Sequence, residues 1–326
     1  MELHRPSGRR ALGFALASTT MLLWGVLPLV LRRVLRDVDA ASLTGFRFAT
    51  SALALGALLA ASGGLPALGS LPRSGARLLI VATLGLAANY IGFLLGLDHT
   101  SPANAQVLIQ LGPLLLALGG LVVFRERFAP AQWFGFAVLV IGLGAFFASQ
   151  LAALGRESDR YLAGVAWLGF AALTWAIYGL AQKQLLQALS SQGVMLCIYV
   201  GCALCFAPWA KLASFAALTP WTWALLAFCA ANTLVAYGAF AAALQHWEAS
   251  RVSAVLALTP LATLAFSVAA ARLAPAQVAT EQLSATSWAG AALVVAGSLL
   301  TALGRSSRGS RARLEAARSG PRQRPS

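Results

Sequence analysis

The stretch NYIGFLLGLDHTSPANAQVLIQLGP, residues 89–113, occurs twice in this chain. Its second form is AYGAFAAALQHWEASRVSAVLALTP, residues 236–260. Matched at a constant spacing of 147 positions are Tyr90 and Tyr237, Phe93 and Phe240, Leu97 and Leu244, His99 and His246, Leu111 and Leu258, and Pro113 and Pro260. Each copy has an apolar run, a polar break at the histidine and a second apolar run containing proline. Neighbouring helices can satisfy the backbone groups that such a proline frees in lipid. The pattern therefore predicts two membrane helices, used twice.

The composition also predicts a membrane protein. Of 326 residues, 59% are hydrophobic and only 10% are charged, which is too few charges to cover a soluble globule of this size. A spanning helix needs about 20 apolar residues, so roughly ten spans fit with short connections. The sequence contains no Walker loop, dinucleotide fingerprint, HExxH or GxSxG pattern. We therefore predict no enzymatic activity and no cofactor.

The apolar runs predict an all-α integral membrane fold with ten transmembrane helices, arranged as two inverted five-helix repeats. The first repeat covers 11–150 and the second covers 161–304, with a connector at 151–160, an N-terminal segment at 1–10 and a basic tail at 305–326. The predicted spans lie at about 11–31, 42–61, 77–97, 103–124, 131–150, 161–181, 193–213, 221–243, 250–271 and 286–304.

The duplication extends along both halves. Further matched positions are Trp24 with Trp175, Trp133 with Trp288, Gly135 with Gly290 and Gly142 with Gly297. The two glycines of each last helix are seven residues apart and share one face, which favours close helix packing. Because five spans are an odd number, the second half must enter the membrane upside down. The loops at His99 and His246 are then on opposite faces, as in alternating-access carriers with inverted repeats.

The positive charge is concentrated in the two tails. The formal net charge is +14, and the segment 305–326 carries seven arginines with Glu315 as its only acid. Three more arginines precede the first apolar run, which we interpret as an uncleaved helix. The positive-inside rule then predicts that both termini are cytoplasmic. We expect the tail to be disordered and to lie near anionic lipid, rather than to bind nucleic acid.

The cysteines predict no metal site and no disulfide framework. All four lie in apolar runs, and the spacing of Cys202 and Cys205 matches CxxC. A zinc site would need a second pair or a nearby histidine, and neither is present. We therefore interpret the cysteines as small packing residues.

Arg47 is the only formal charge deep in a predicted span. One interpretation places it in the wall of a cavity, where it attracts a carboxylate. The other lets it extend to the interface, since it lies only about five residues from the helix end. No aspartate or glutamate lies centrally in a predicted span. The sequence therefore does not support a proton relay through a buried carboxylate.

Polar and aromatic residues at mid-span predict a binding cavity. Gln106 and Gln110 share a helix face directly before Pro113, whose ring removes a donor and exposes a carbonyl one turn earlier. These glutamines either bind a ligand or join helices without one. Paired aromatic side chains could form the cavity walls. The predicted binding residues are Trp24, Arg47, Tyr90, Gln106, Gln110, Trp175, Tyr178 and Tyr237. Bends at Pro28, Pro113 and Pro260 would let one half rock against the other.

With these residues the chain resembles the drug/metabolite transporter superfamily, specifically its EamA-type carriers of two five-helix repeats. The motifs are MLLWG at 21–25, FRF at 46–48, the segment from Tyr90 through TSPA at 100–103 to Pro113, and RER at 125–127 followed by Gly135 and Gly142. The second half departs from the pattern, because no arginine lies near Tyr199. The resemblance implies secondary transport of small organic metabolites, often efflux of amino acids or related compounds, through a cavity between the halves.

We therefore predict an inner-membrane bacterial carrier that exports a small neutral or zwitterionic, amino-acid-like metabolite by alternating access. Its expected partners are this solute and membrane lipid. Two other classes stay open at this point. One is a non-transporting scaffold that uses the basic tail. The other is an integral-membrane enzyme that acts on lipid, for which this sequence has few acids and histidines.

Overall fold

A computed structural model describes residues 9–67, 69, 71–124, 129–154, 158–247, 249–256, 258–273 and 284–303. All regular secondary structure within these ranges is helical. Four predicted features lie wholly or partly outside the described residues. They are the N-terminal segment up to residue 8, the RER motif at 125–127, residues 155–157 of the connector, and the basic tail at 305–326.

The described helices follow one another with short connections. In chain order they are α1 (Arg10–Val34), α2 (Ala40–Ala61), α3 (Arg73–His99), α4 (Pro102–Leu108), α5 (Leu111–Val123), α6 (Pro130–Leu154), α7 (Ser158–Leu185), α8 (Ser191–Phe206), α9 (Pro220–His246), α10 (Ala249–Leu256), α11 (Thr259–Leu273) and α12 (Ala285–Leu303). Two 3₁₀ segments, Ala207–Trp209 and Leu212–Phe215, lie between α8 and α9.

Among the described residues, 7 segments are long and apolar enough to cross a membrane. They are α1, α2, α3, the pair α4 and α5, α7, α8 with its first 3₁₀ segment, and α9. Shorter apolar helices are α11 and most of α6 and α12. The ten predicted spans thus correspond to seven full-length segments and three shorter apolar helices. The fold is an all-helical membrane fold, as the composition predicts.

The fourth and ninth predicted spans are each divided into two helices. Pro113 is the third residue of α5, and Pro260 is the second residue of α11. The sequence predicted one bent helix at each place. The structure differs because proline has no N–H to donate and its ring crowds the preceding turn, so it fits best in the first turn of a new helix. Pro28, by contrast, lies inside the continuous helix α1.

Contacts of α1 define the two ends of the bundle. Near the end of α1, Arg32 donates to the Thr100 carbonyl at 2.9 Å. Near its beginning, the rings of Phe14 and Trp247 are 6.2 Å apart. At 1.5 Å per residue these contacts are separated by about 27 Å along α1. The loop after α3 and the loop after α9 therefore lie at opposite ends of the bundle. We name the end with the loop after α3 the Asp37 end, because Asp37 follows α1 there. We name the end with the loop after α9 the Trp247 end.

Hydrogen bonds connect the loops at the Asp37 end. The Asp37 carboxylate accepts from Arg33 at 2.8 Å and from Thr222 at the start of α9 at 2.8 Å. These two hydrogen bonds, Arg33 first, hold the pKa of Asp37 below its usual value. Asp39 caps α2 through Ser42. Partial burial raises the pKa of Asp39, but the bonds from Ser42 outweigh this effect and the net shift is downward. Both carboxylates are therefore held in their charged form.

Helices α6 and α12 pack closely along their glycines. A Cβ added at Gly142 would lie 2.6 Å from the Val294 nitrogen and 2.9 Å from the Gly290 carbonyl. One added at Gly135 would meet the backbone of Thr301 and Gly297. Early residues of α6 thus face late residues of α12, so the two helices run antiparallel. Only glycine allows backbones to approach this closely.

This packing predicts a large difference between two neighbouring glycines. Gly142→Val should lower the free energy of unfolding by about 1–3 kcal/mol, because the added side chain overpacks the contact with α12. Gly144→Val is the matched control, since a Cβ at Gly144 meets nothing within 4 Å. Thermal unfolding of the detergent-purified protein checks this. Equal melting temperatures for the two variants would contradict the close packing of α6 on α12.

Candidate functional site

A cavity of about 90 Å³ lies in the centre of the bundle. It is bounded by α1, α2, α3, α7 and α9, and by the two breaks at α4–α5 and α10–α11. Its lining residues are Trp24, Leu27, Pro28, Arg47, Asn89, Tyr90, Phe93, Leu94, Gln106, Ile109, Gln110, Pro113, Trp175, Tyr237, Leu256 and Thr259. Arg47 is only the eighth residue of α2, and Gln106 the fifth of α4. Because both helices begin at the Asp37 end, the cavity lies nearer that end.

The structure brings most of the predicted binding residues together. Seven of the eight line the cavity, and Tyr178 does not. Tyr178 is fully buried behind Tyr237, with ring centroids 6.2 Å apart. Of the predicted hinge residues, Pro28 and Pro113 line the cavity and Pro260 lies next to it in α11. Their roles in binding and movement stay predictions.

Arg47 points into the bundle rather than to the membrane interface. It is only 2% exposed. Its Nε donates to the Thr233 hydroxyl at 2.9 Å and to the Cys229 carbonyl at 3.3 Å. Its guanidinium carbon lies 4.7 Å from the centre of the Tyr90 ring. The position of Arg47 therefore does not fit the interpretation in which its side chain extends to the membrane interface. It fits the interpretation that places Arg47 in the cavity wall.

The charge of Arg47 has no acidic partner in the described part of the chain. The ion pairs found there are Arg33 with Asp37, which is partly exposed, and Arg160 with Asp98, which is exposed. A buried guanidinium is stabilised best by a carboxylate that accepts two of its N–H groups. Cation–π attraction to Tyr90 offsets only part of the cost of burial. The site is therefore suited to a ligand that carries an anionic group.

Gln106 has a structural role. Its Nε2 donates to the Trp24 carbonyl at 2.7 Å. Trp24 lies four residues before Pro28, so its carbonyl has lost its helical partner. Gln106 replaces that partner and joins α4 to α1. For this residue the interpretation as a link between helices is supported, while Gln110 makes only a long bond, 3.4 Å from its Nε2 to the Gln106 carbonyl.

Three polar atoms on the cavity wall have no hydrogen-bond partner among the described residues. They are the Trp24 Nε1, the Tyr90 hydroxyl and the Gln110 Oε1. The Tyr90 hydroxyl lies near Thr233 and Tyr237, but not in hydrogen-bonding geometry. Buried polar groups are nearly always paired, and each unpaired one costs about 1–3 kcal/mol. These two donors and one acceptor surround the same cavity as the Arg47 guanidinium.

Aromatic rings close the cavity towards the Trp247 end. The Trp24 ring lies 6.0 Å from the Trp175 ring and 5.0 Å from the Tyr237 ring. Phe240 packs against both tryptophans, at 5.6 Å and 5.4 Å. Edge-on and tilted contacts at these distances are favourable for aromatic rings. We name Trp24, Trp175, Tyr237 and Phe240 the aromatic layer.

Some lining residues were missed by the sequence analysis. Asn89 and Phe93 flank Tyr90 on α3, and Thr259 directly precedes Pro260. Phe93 is three residues from Tyr90, a spacing that places both on one helix face. That spacing could have identified Phe93. Asn89 gave no such signal in the sequence, because its duplicate is Ala236. In the structure its amide donates to the Ala171 carbonyl at 2.9 Å.

The described residues hold no group of three or more His, Cys, Asp or Glu side chains that could bind a metal ion. Cys202 and Cys205, the pair with CxxC spacing, are free thiols. The Cys202 Sγ lies 3.4 Å from the Thr83 carbonyl. These cysteines therefore pack α8 against its neighbours in the part of the chain that the structure describes.

The apolar helices define a multi-pass membrane protein, and the central cavity is lined by apolar residues with a few polar side chains among them. Residues 11–148 and 162–303 each match the EamA-like transporter family. The chain belongs to this family.

Similar proteins include an uncharacterized transporter of Haemophilus influenzae, 37% identical over 293 residues, which covers 90% of this chain and 95% of that protein. The uncharacterized inner membrane transporter YhbE of Escherichia coli is 36% identical over 294 residues, covering 90% of this chain and 92% of YhbE. A solved crystal structure aligns with a TM-score of 0.61 at 20% identity, over 95% of this chain and 98% of that one. This last likeness concerns the fold alone.

The two glutamines are expected to differ in their effect on stability. Gln106→Leu should lower the free energy of unfolding by about 1–3 kcal/mol, because the Trp24 carbonyl is left buried without a donor. Gln110→Leu should change the free energy of unfolding by less than about 1 kcal/mol. The reason is that the amide it removes has an unpaired oxygen and only one long hydrogen bond, to the Gln106 carbonyl. The measurement is thermal unfolding of both variants without added solute. A larger loss in Gln110→Leu than in Gln106→Leu would contradict these assignments.

Proposed function

We propose that this protein is a secondary transporter that exports a small zwitterionic or neutral, amino-acid-like metabolite across the inner membrane by alternating access. The observation that carries the proposal is the buried guanidinium of Arg47, which faces the cavity without an acidic partner among the described residues. A solute carboxylate would neutralise this charge. Tyr90 and Trp24 would then donate to the solute, and Gln110 would accept from its amino group.

The size of the cavity supports a small solute. A water molecule needs about 10–15 Å³ of such space, so a cavity of about 90 Å³ has room for several waters or one small molecule. The aromatic layer supplies an apolar wall for the solute's side chain. We infer that carboxylate, amino group and side chain contact separate parts of the wall, as in most small-molecule sites.

We further propose ten spanning helices in two inverted repeats. Support comes from residues that contact their own duplicates. Trp24 contacts Trp175, and the rings of Tyr90 and Tyr237 are 5.5 Å apart. A two-fold axis in the membrane plane produces such pairs, because only residues near the axis meet their symmetry mates. Antiparallel packing of α6 on α12, the last helix of each repeat, fits the same axis.

This arrangement supports alternating access. The cavity lies on the Asp37 side of the aromatic layer, and an inverted repeat supplies an equivalent route on the Trp247 side. If both termini are cytoplasmic, the Asp37 end is periplasmic and the cavity is the release site of an exporter. The helix breaks next to Pro113 and Pro260 would supply the bends for this motion.

Counterflow in proteoliposomes tests the proposed function. We expect the wild type to exchange at least one member of a panel of radiolabelled neutral L-amino acids, and to exchange its carboxyl-amidated analogue far less. Arg47→Gln should reduce this exchange about 10-fold to 100-fold, the effect of losing a hydrogen bond between charged groups, and Arg47→Lys should restore part of it. Arg160→Gln is the control, since this arginine is exposed. Undiminished exchange by Arg47→Gln would exclude the carboxylate site.

Single-cysteine labelling tests the inverted arrangement. In a background without the four native cysteines, we expect His99→Cys and His246→Cys to react with a membrane-impermeant maleimide from opposite sides. The reason is that the two loops lie at opposite ends of α1. Reaction of both positions from the same side would show that the bundle does not span the membrane as proposed.

A further inference from the structure

Beyond the aromatic layer lies a second cluster of buried polar side chains. Tyr178 and Gln182 lie on α7, three and seven residues after Trp175, so they continue the face of α7 that lines the cavity. Each is 0% exposed. Arg160 near the start of α7 donates to the Asp98 carbonyl at 3.0 Å, so α7 runs from the Asp37 end to the Trp247 end. The pair therefore lies between the aromatic layer and the Trp247 end. We name Tyr178 and Gln182 the α7 polar pair.

The α7 polar pair is poorly satisfied in this structure. The Tyr178 hydroxyl and the Gln182 Nε2 both point at the thioether sulfur of Met195 on α8, at 3.6 Å and 3.2 Å. A thioether is a weak acceptor. The Gln182 Oε1 has no hydrogen-bond partner in the part of the chain that the structure describes. A leucine at position 182 would avoid this cost, because α7 and α8 also bury the apolar residues Leu185, Val194 and Ile198.

The duplication assigns the α7 polar pair a place on the transport path. Counted from the matched tryptophans, Tyr178 corresponds to Leu27, and Gln182 corresponds to Leu31. Leu27 lines the cavity on the Asp37 side of the aromatic layer. If the repeats are inverted, Tyr178 has the equivalent position on the Trp247 side. In the alternative state of the carrier it would line the cavity as Leu27 does in this structure.

We propose that Tyr178 and Gln182 form a second polar subsite of the transport path, which closes on Met195 in this structure and opens to the Trp247 end in the alternative state. There the Gln182 amide and the Tyr178 hydroxyl bind the polar groups of the same amino-acid-like solute, or the waters that accompany it. The inference rests on the proposed function and deepens it. It assigns roles to a residue that the cavity leaves out and to a glutamine that the sequence analysis did not select.

Accessibility tests the subsite without any transported solute. In the background without native cysteines, Gln182→Cys should react with the impermeant maleimide from the Trp247 side, because that position opens in the alternative state. His246→Cys marks the reactive side. Ala176→Cys, buried on another face of α7, should stay unreactive. Failure of Gln182→Cys to react from the Trp247 side, while His246→Cys reacts, would overturn the proposal.

Transport kinetics form the second arm, with the same labelled neutral amino acids. Gln182→Leu should lower the maximal counterflow rate about fivefold to tenfold, the effect of one lost hydrogen bond. KM measured from the Asp37 side should stay unchanged, and the melting temperature should not fall. Tyr178→Phe should act in the same direction without a change of shape. Gln184→Leu is the matched control: among the described residues the Gln184 Oε1 is likewise buried without a partner, but Gln184 lies on a different face of α7.

The outcomes separate the two proposals. A wild-type protein that exchanges none of the amino acids contradicts the proposed function, and the labelling result then decides the subsite alone. A wild type that exchanges them while Gln182→Leu matches its rate overturns only the subsite. A lower melting temperature with wild-type transport in Gln182→Leu would mean that the glutamine serves packing, which also overturns it.

Discussion

Within lipid, every backbone N–H and C=O must find a hydrogen-bond partner inside the protein. Three prolines, Pro28, Pro113 and Pro260, determine where this bundle uses donors other than the regular helical ones. Each proline deprives the carbonyl four residues before it of its helical donor. The affected carbonyls belong to Trp24, Ile109 and Leu256, and all three residues line the cavity. Their new donors are the Gln106 amide at 2.7 Å, the Gly112 nitrogen at 2.8 Å and the Thr259 hydroxyl at 2.6 Å. The cavity thus lies where helical hydrogen bonding is interrupted.

Hydrogen bonds to neighbouring helices also explain how the charge of Arg47 is tolerated inside the bundle. Arg47 is held by the Thr233 hydroxyl, the Cys229 carbonyl and the face of Tyr90. Thr233 itself donates to the Cys229 carbonyl at 2.9 Å. These contacts fix the direction of the guanidinium without neutralising it, because none of the partners is an anion. A neutral cage around a fixed cation favours recognition of an incoming carboxylate.

The sequence predicted the helices and most of the cavity because both depend on local patterns. Apolar length identifies a span, and matched aromatic residues identify the centre of a duplicated bundle. It did not predict the division of α4 from α5, because a proline fits either a bend or a new helix. The contact of Gln106 with Trp24 joins residues 82 positions apart and has no local signature. The sequence predicted Tyr178 on the cavity wall, because helical spacing indicates which face of α7 it lies on. Helical spacing does not indicate how far along the bundle it lies from the cavity.

The two repeats have the same order of helices but different side chains at matched positions. This difference bears on how a solute would move. Arg47 is the eighth residue of α2, while the eighth residue of α8 is Ile198. Gln106 corresponds to Ser253, so the first half carries the cation and the polar helix break. The second half contributes Trp175, Tyr237 and the α7 polar pair. A solute bound through its carboxylate would therefore stay with Arg47 of the first half. The neutral contacts of Arg47 with Thr233 and Cys229 on α9 would be exchanged as the second half moves.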